Sequence, residues 1–317
     1  MDHFEEKTTD YLRELAAKSS AVKKMYYNDP VIENIPIDVT RDIMLEKQHT
    51  QSKGLIHKFN NRVLIMLSYT CAANCRYCER QDRVGVGMDR DGMLTQHDID
   101  VICKYIEQHP NIKEVIFSGG DPLTNPNILR YACFRLSEIK HIKVFRIHTK
   151  IPINNPLAVN FELLEEIIQL PPIFYFSIHV NHPDELNEIS VPVIEKIRKL
   201  GFIMLSQSVF LNNINNNVEV LEHLFTTLSQ IGVRPYYIYH CTNIPANKYF
   251  IMSIEEEISI MTELRNRLSG IAYPTHVIDL MNAIGKITVP TNHWMKSGDV
   301  VGICDFTGKI IDYNSYW

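Results

Sequence analysis

The stretch Cys71-Ala-Ala-Asn-Cys75-Arg-Tyr-Cys78, placed just after the apolar run Val63-Leu-Ile-Met-Leu67, organises the reading of this chain. Three thiolates so spaced can ligate three irons of a four-iron cluster and leave the fourth iron without a protein ligand. Iron–sulfur clusters are usually held by a full set of cysteines, so an open corner calls for another ligand. The competing reading is zinc. Zinc takes four ligands, commonly as two pairs, and the chain has no second Cys-x2-Cys pair. The apolar run reads as a strand, which puts the cysteines in the loop at its end.

The chain has 317 residues, 45% apolar and 22% charged, with a net charge of −5. Such a composition suits a globular protein with a large core. Neither a basic run nor an aromatic-interleaved basic patch points to nucleic acid. The acidic start Met1-Asp-His-Phe-Glu-Glu has no apolar core of a signal peptide, and no apolar run approaches the roughly 20 residues of a membrane span. Seven cysteines, three of them clustered, fit metal binding in a reducing cytoplasm better than a disulfide framework. The scattered Cys103, Cys133, Cys241 and Cys304 read as small buried hydrophobes.

Along the chain the pattern alternates. Residues 1–55 read as a helical lead-in, with Tyr11, Leu12, Leu15 and Ala16 on one face and loops at Asp29-Pro30 and Ile35-Pro36. Strands are expected at Arg62–Tyr69, Glu114–Ser118, Lys143–Thr149, Phe174–Val180, Phe202–Phe210 and Pro235–Cys241. A polar loop, Arg80–Leu94, precedes the first helix. Helices are expected from Thr95, with Asp98 completing a capping box, then at Asn127–Ile139, Phe161–Leu170, Asp184–Leu200, Val218–Ile231 and from Ser253 with Glu256. Six strand–helix units imply an α/β fold with a parallel sheet, curled into a partial (β/α)6 TIM-like barrel over residues 56–270. Residues 271–317 read as a C-terminal segment with strand-like pieces at Tyr273–Ile278 and Val300–Tyr313. In such a barrel the functional loops follow the C-terminal ends of the strands. The cysteine loop, Gly119-Gly120-Asp121, His148-Thr149-Lys150, His179 and Cys241-Thr242 all fall there.

The cysteine spacing, with Tyr77 before the last thiol, resembles the signature of the radical S-adenosylmethionine (SAM) enzymes. Within them the chain is similar to the lysine 2,3-aminomutase family from about His57 onward. Phe59-Asn-Asn-Arg62, Ser118-Gly-Gly-Asp-Pro-Leu123, Arg146-Ile-His-Thr-Lys150, His179-Val-Asn-His-Pro183, Gln207-Ser-Val209 with Asn215, and Pro235-Tyr-Tyr-Ile-Tyr239 carry the likeness. The resemblance implies a radical SAM isomerase of the partial-barrel type. It would move an α-amino group to the β-carbon with a [4Fe–4S] cluster, SAM and pyridoxal 5′-phosphate (PLP). Cys71, Cys75 and Cys78 would hold the cluster. Gly119, Gly120 and Asp121 would hold the methionine amino group of SAM, the glycines letting backbone come close to the ligand, and His179 and Gln207 would also contact SAM.

The resemblance also makes Lys286, seven residues beyond Asp279, the Schiff-base lysine for PLP. A lysine must be neutral to form an imine, and burial is expected to lower its pKa. Arg62 and Lys58 would hold the PLP phosphate, and Tyr239 would lie near its ring. Arg80 would clamp the substrate α-carboxylate, as a guanidinium can bidentately. The family's lysine enzymes grip the distal ammonium of their substrate with two aspartates. One matches Asp279, while Thr242 stands at the other position. That change puts lysine in doubt and makes another amino acid, such as arginine, fit at least as well. Expected partners are a small amino-acid substrate and an electron donor such as flavodoxin or ferredoxin, with no nucleic acid and no membrane; a homo-oligomer stays open. Two other readings compete: a PLP-free radical SAM enzyme acting on another small molecule or a peptide, and a non-catalytic iron–sulfur protein.

Overall fold

In the computed structural model the described residues are 5–29, 45–81, 83–84, 93–244, 247–280, 285–297, 300–304 and 309–312. The loop expected at Ile35-Pro36, most of the polar loop before Leu94, the turn at 281–284 and the end of the tail lie outside them. Ten strands form one sheet in chain order. They are β1 (Thr50–Ser52), β2 (Leu55–Phe59), β3 (Arg62–Ser68), β4 (Glu114–Gly119), β5 (Val144–Thr149), β6 (Ile173–His179), β7 (Ile203–Val209), β8 (Arg234–Tyr239), β9 (Thr275–Leu280) and β10 (Gly285–Thr288). Strands β3 to β9 run parallel. The pairs at either edge, β1–β2, β2–β3 and β9–β10, run antiparallel. A separate antiparallel meander follows, made of β11 (Trp294–Ser297), β12 (Val300–Cys304) and β13 (Ile310–Asp312).

Two helices, α1 (Asp10–Lys18) and α2 (Ser20–Tyr26), precede the sheet. The crossover helices are α3 (Gln96–Glu107), α4 (Pro126–Ser137), α5 (Phe161–Ile167), α6 (Ser190–Lys199), α7 (Val218–Gln230) and α8 (Ile254–Arg267). Both expected capping boxes form, Thr95 with Asp98 and Ser253 with Glu256. Each satisfies two backbone donors that a helix start leaves without partners. All six expected strand–helix units are present. The expected helix from Asp184 starts only at Ser190, because the Glu185 carboxylate instead accepts from the backbone amides of Asn181 and His182.

The lead-in is not helical throughout. Its last residues form the β1–β2 hairpin, which extends the sheet beyond β3. β1 is three residues long and β2 buries only its first two residues, so neither carries an alternating signal. At the other end, β9 and β10 join the main sheet instead of standing apart from it. The two edges do not pair among the described residues, yet they approach. A Cβ built on Gly285 would meet the Phe59 ring at 3.9 Å.

The outer face of the sheet and the helices make the main apolar core. On β5, Phe145, Ile147 and Thr149 are buried under the helices, whereas Arg146 and His148 point the other way and are only partly covered. The inner face lines a cavity of about 730 Å³. Complete barrels of this kind fill their interior with layers of apolar side chains; here polar groups such as Arg146, His179 and Gln207 stand among Leu64, Ile116 and Leu205 around an open space. Helices α1 and α2 form a second apolar cluster with Ala73, Leu211 and Phe250, which places them against the cysteine loop. The amides of Asn74 and Arg76 in that loop donate to the carbonyls of Lys7 and Met25, both at 2.9 Å.

Gly119 and Gly120 serve the fold first. A Cβ on either would sit 2.2 Å from a backbone oxygen, that of Ser68 or of Thr70. A Gly120→Ala substitution therefore forces backbone apart. It is expected to cost about 2 kcal/mol or more and to lower the iron content after reconstitution, measured by urea unfolding and iron assay.

Candidate active site

Cys71, Cys75 and Cys78 are free thiols that line the cavity beyond the C-terminal end of β3. Burial, with the neighbouring Cys75, pushes the Cys78 thiol up to about 12. No three Cys, His, Asp or Glu side chains among the described residues gather as the ligands of one ion would. A four-iron cluster asks something different, one iron for each thiolate, and the three thiols open on one space. The residues present fit such a cluster.

The glycine turn departs from expectation. Its amides are not free for a ligand: Gly120 donates to the Ser68 carbonyl at 2.6 Å and Asp121 to that of Thr70 at 2.9 Å. The glycines are needed because backbone, not ligand, lies against them. Asp121 is also committed. Its carboxylate accepts from the Leu123 amide at 3.1 Å, the Lys150 amide at 2.7 Å and the Thr149 hydroxyl at 2.8 Å. Burial nevertheless raises its pKa to about 6. It ties the turn after β4 to the end of β5.

His179 and Gln207 are register partners at the ends of β6 and β7, and both line the cavity. Burial lowers the His179 pKa to about 3, so its imidazole is neutral. His148, expected at a functional strand end but given no role there, lies on β5 with its ring 6.3 Å from that of His179. Its Nε2 is buried and has no hydrogen-bond partner, which leaves it available to a ligand.

Lys286 lies directly opposite Asp279 in the β9–β10 pair. Its Nζ donates to Asp279 Oδ2 at 2.6 Å and to the Tyr239 hydroxyl at 3.2 Å, and it stands 4.4 Å from the Tyr239 ring centre. Burial lowers the pKa, but the Tyr239 and Asp279 oxygens outweigh it and the net shift is upward. The expectation of a lowered pKa is thus corrected: the ion pair keeps the ammonium charged. Arg62 and Lys58 flank the Phe59 ring, at 4.2 and 5.5 Å from its centre, and line the same cavity. Arg146 lines it too, in an ion pair with Glu114.

Arg80 is paired already. Its guanidinium meets Glu46 Oε1 at 3.0 Å, and Arg83 meets the other oxygen at 3.1 Å. Burial would raise the Glu46 pKa, but the two guanidiniums hold it below the usual carboxylate value. Two guanidiniums against one carboxylate leave a net positive charge beside the cavity. Thr242 donates to Glu79 Oε2 at 3.2 Å. Glu79 gives no signal in the sequence, because its contact lies 163 residues away. The fully buried Asn247 amide fixes this region by donating to the carbonyls of Tyr77 and Thr242, both at 3.2 Å. Replacing Asn247 with Ala removes the donor to the Tyr77 carbonyl and leaves the Thr242 carbonyl with the Ile244 amide alone. It should cost about 1–3 kcal/mol, read from the urea midpoint at unchanged slope.

A radical SAM superfamily model matches residues 65–224. The chain is 31% identical over 90% of its length to the L-lysine 2,3-aminomutase of Acetoanaerobium sticklandii, covering 71% of that protein. It is 35% identical over 73% of its length to the L-lysine 2,3-aminomutase of Escherichia coli, covering 66% of it. It is also 30% identical over 84% of its length to the glutamate 2,3-aminomutase of Clostridioides difficile, covering 64% of it. Among solved structures, Streptococcus suis SuiB bound to S-adenosylmethionine superposes on 86% of this chain and 62% of its own, with TM-score 0.52 at 13% identity, a likeness of fold. The chain belongs to the radical SAM superfamily, whose enzymes work with a [4Fe–4S] cluster and SAM, and within it to the family of the lysine 2,3-aminomutases.

Proposed function

We propose that the chain is a PLP-dependent amino-acid 2,3-aminomutase, an isomerase that moves an α-amino group to the β-carbon. The observation that carries this reading is the placement of Lys286. It opens on the same cavity as the three cysteines, yet on the far edge of the sheet. Cys71, Cys75 and Cys78 would hold the cluster, with Gly119 and Gly120 supplying carbonyls, and His179 and Gln207 side chains, to SAM. Lys286 would hold PLP covalently, Tyr239 would stand beside its ring, and Arg62 and Lys58 would take its phosphate. Arg80 would bind the substrate carboxylate by sharing its charge between that group and Glu46. Bound there, cluster and SAM supply a hydrogen-abstracting radical, and PLP supplies a conjugated ring that delocalises an unpaired electron.

The raised pKa of Lys286 gives the reading a pH signature. Only the neutral amine attacks a carbonyl, so covalent uptake of PLP should rise with pH through the alkaline range. Asp279→Asn removes the carboxylate that stabilises the ammonium. The pKa then falls, and uptake at neutral pH should be several-fold faster, since each whole-number drop in pKa gives about tenfold more neutral amine. Borohydride trapping followed by peptide mass spectrometry measures this directly, and Lys286→Ala should carry no label. A wild-type protein that takes up no PLP, yet reductively cleaves SAM, would instead support a PLP-free radical SAM enzyme.

A further inference from the structure

Two phenols stand buried at the cysteine loop with nothing to bond. Tyr26, the last residue of α2, is fully buried, and its hydroxyl has no hydrogen-bond partner. The hydroxyl of Tyr77, between Cys75 and Cys78, is buried and unpartnered as well. Protein interiors seldom leave such a group unpaired, because nothing then repays its desolvation. Tyr26 belongs to the second apolar cluster, and both Cys75 and Tyr77 pack against that cluster. One residue of the loop holds Tyr26 from both sides. The Arg76 amide donates to the Met25 carbonyl at 2.9 Å, and the Arg76 guanidinium to the Tyr27 carbonyl at 2.8 Å. Lys150, which lines the cavity together with Cys75, stands 5.9 Å from the centre of the Tyr26 ring. Burial raises the Cys75 thiol, while the Lys150 charge and the Tyr77 and Tyr26 hydroxyls oppose it. Both hydroxyls thus act on that one sulfur.

We propose that Tyr26, together with Tyr77, donates a hydrogen bond to the Cys75 sulfur once that sulfur is a metal-bound thiolate, and so raises the reduction potential of the cluster. A neutral thiol is a weak acceptor, which accounts for two hydroxyls without partners. A thiolate is charged and accepts strongly. Hydrogen bonds to the sulfurs are among the features that set the potential of an iron–sulfur cluster. The sign follows from charge. Reduction brings one electron from an external donor, breaks no bond and leaves each phenol proton on its oxygen. The two donors therefore stabilise the more negative, reduced state over the oxidised one. Tyr26 lies outside the cysteine motif, so α2 would carry a chemical task beyond covering the loop. The inference concerns the cluster alone and holds whether or not the chain binds PLP.

The test is a potentiometric titration of the reconstituted full chain, with the reduced cluster followed by electron paramagnetic resonance. Tyr26→Phe and Tyr77→Phe each keep the ring and remove only the hydroxyl. Each should lower the reduction equilibrium constant by about two- to tenfold, the net worth of one hydrogen bond. For one electron a tenfold change is a fall of about 59 mV in the midpoint. The double variant should fall further. Tyr11→Phe serves as the control, since the Tyr11 hydroxyl accepts from Asn187 on another face, and its midpoint should match wild type. In the cluster-free state Tyr26→Phe should unfold at a urea midpoint no lower than that of wild type, because it removes a group that has no partner. An unchanged or raised cluster midpoint in Tyr26→Phe overturns the proposal. A lowered urea midpoint does so too, since the hydroxyl would then be bonded within the protein instead. Should Tyr26→Phe take up no cluster, Tyr77→Phe decides, and an unmoved cluster midpoint there overturns the proposal as well.

Discussion

Two backbone hydrogen bonds, Gly120 to Ser68 at 2.6 Å and Asp121 to Thr70 at 2.9 Å, join the turn after β4 to the start of the cysteine loop. They form only because neither glycine has a Cβ, which would stand 2.2 Å from a carbonyl oxygen. From this contact the constraint spreads. The Asp121 carboxylate reaches Thr149 and the Lys150 amide at the end of β5. The Lys150 ammonium reaches the His179 carbonyl and the Glu185 carboxylate on the β6 side. Glu185 in turn fixes the Asn181 and His182 amides. The loops after three successive strands are therefore one connected unit, with its charged members buried and paired.

The interior of the sheet follows a second rule. A closed barrel of this type packs its inside, and this one does not. Its inward positions carry Arg146, His148, His179, Gln207 and Tyr239 among the apolar Leu64, Ile116 and Leu205, and its main apolar core lies on the other face, under the helices. Such an inner wall is costly if left uncompensated. Much of the charge is met locally, by Arg146 with Glu114, Arg80 with Glu46 and Lys286 with Asp279. These pairs place a counter-charge beside each of these three cations.

The repeating part of the fold was legible because its signal is periodic. Thr95 with Asp98 and Ser253 with Glu256 announce helix starts, and the strand runs recur between them. Lys286, Arg62 and Tyr239, which line one cavity, were singled out through family likeness and not from any local pattern. What escaped was long-range. The β1–β2 hairpin has no periodic burial to reveal it, and it exists because β3 offers an open edge. The charge state of Lys286 was misjudged because burial argues for a neutral amine, while the antiparallel register sets Asp279 directly across from it. The commitment of the glycine-turn amides was hidden because the Ser68 and Thr70 carbonyls lie about fifty residues earlier in the chain.

The same limit governs how the site can change without losing its chemistry. A position-by-position reading sees a hydroxyl at Thr242 and concludes that a carboxylate has gone. In three dimensions that hydroxyl donates to Glu79, which comes from the cysteine loop more than 160 residues away. The Asn247 amide holds the two loops together at Tyr77 and Thr242. The cysteine loop then carries both the thiols and Glu79 into one cavity. Any movement of that loop would shift them together. That coupling is a physical reason for the N-terminal helices to be packed so closely against it, with Tyr26 and Met25 fully buried beside Ala73.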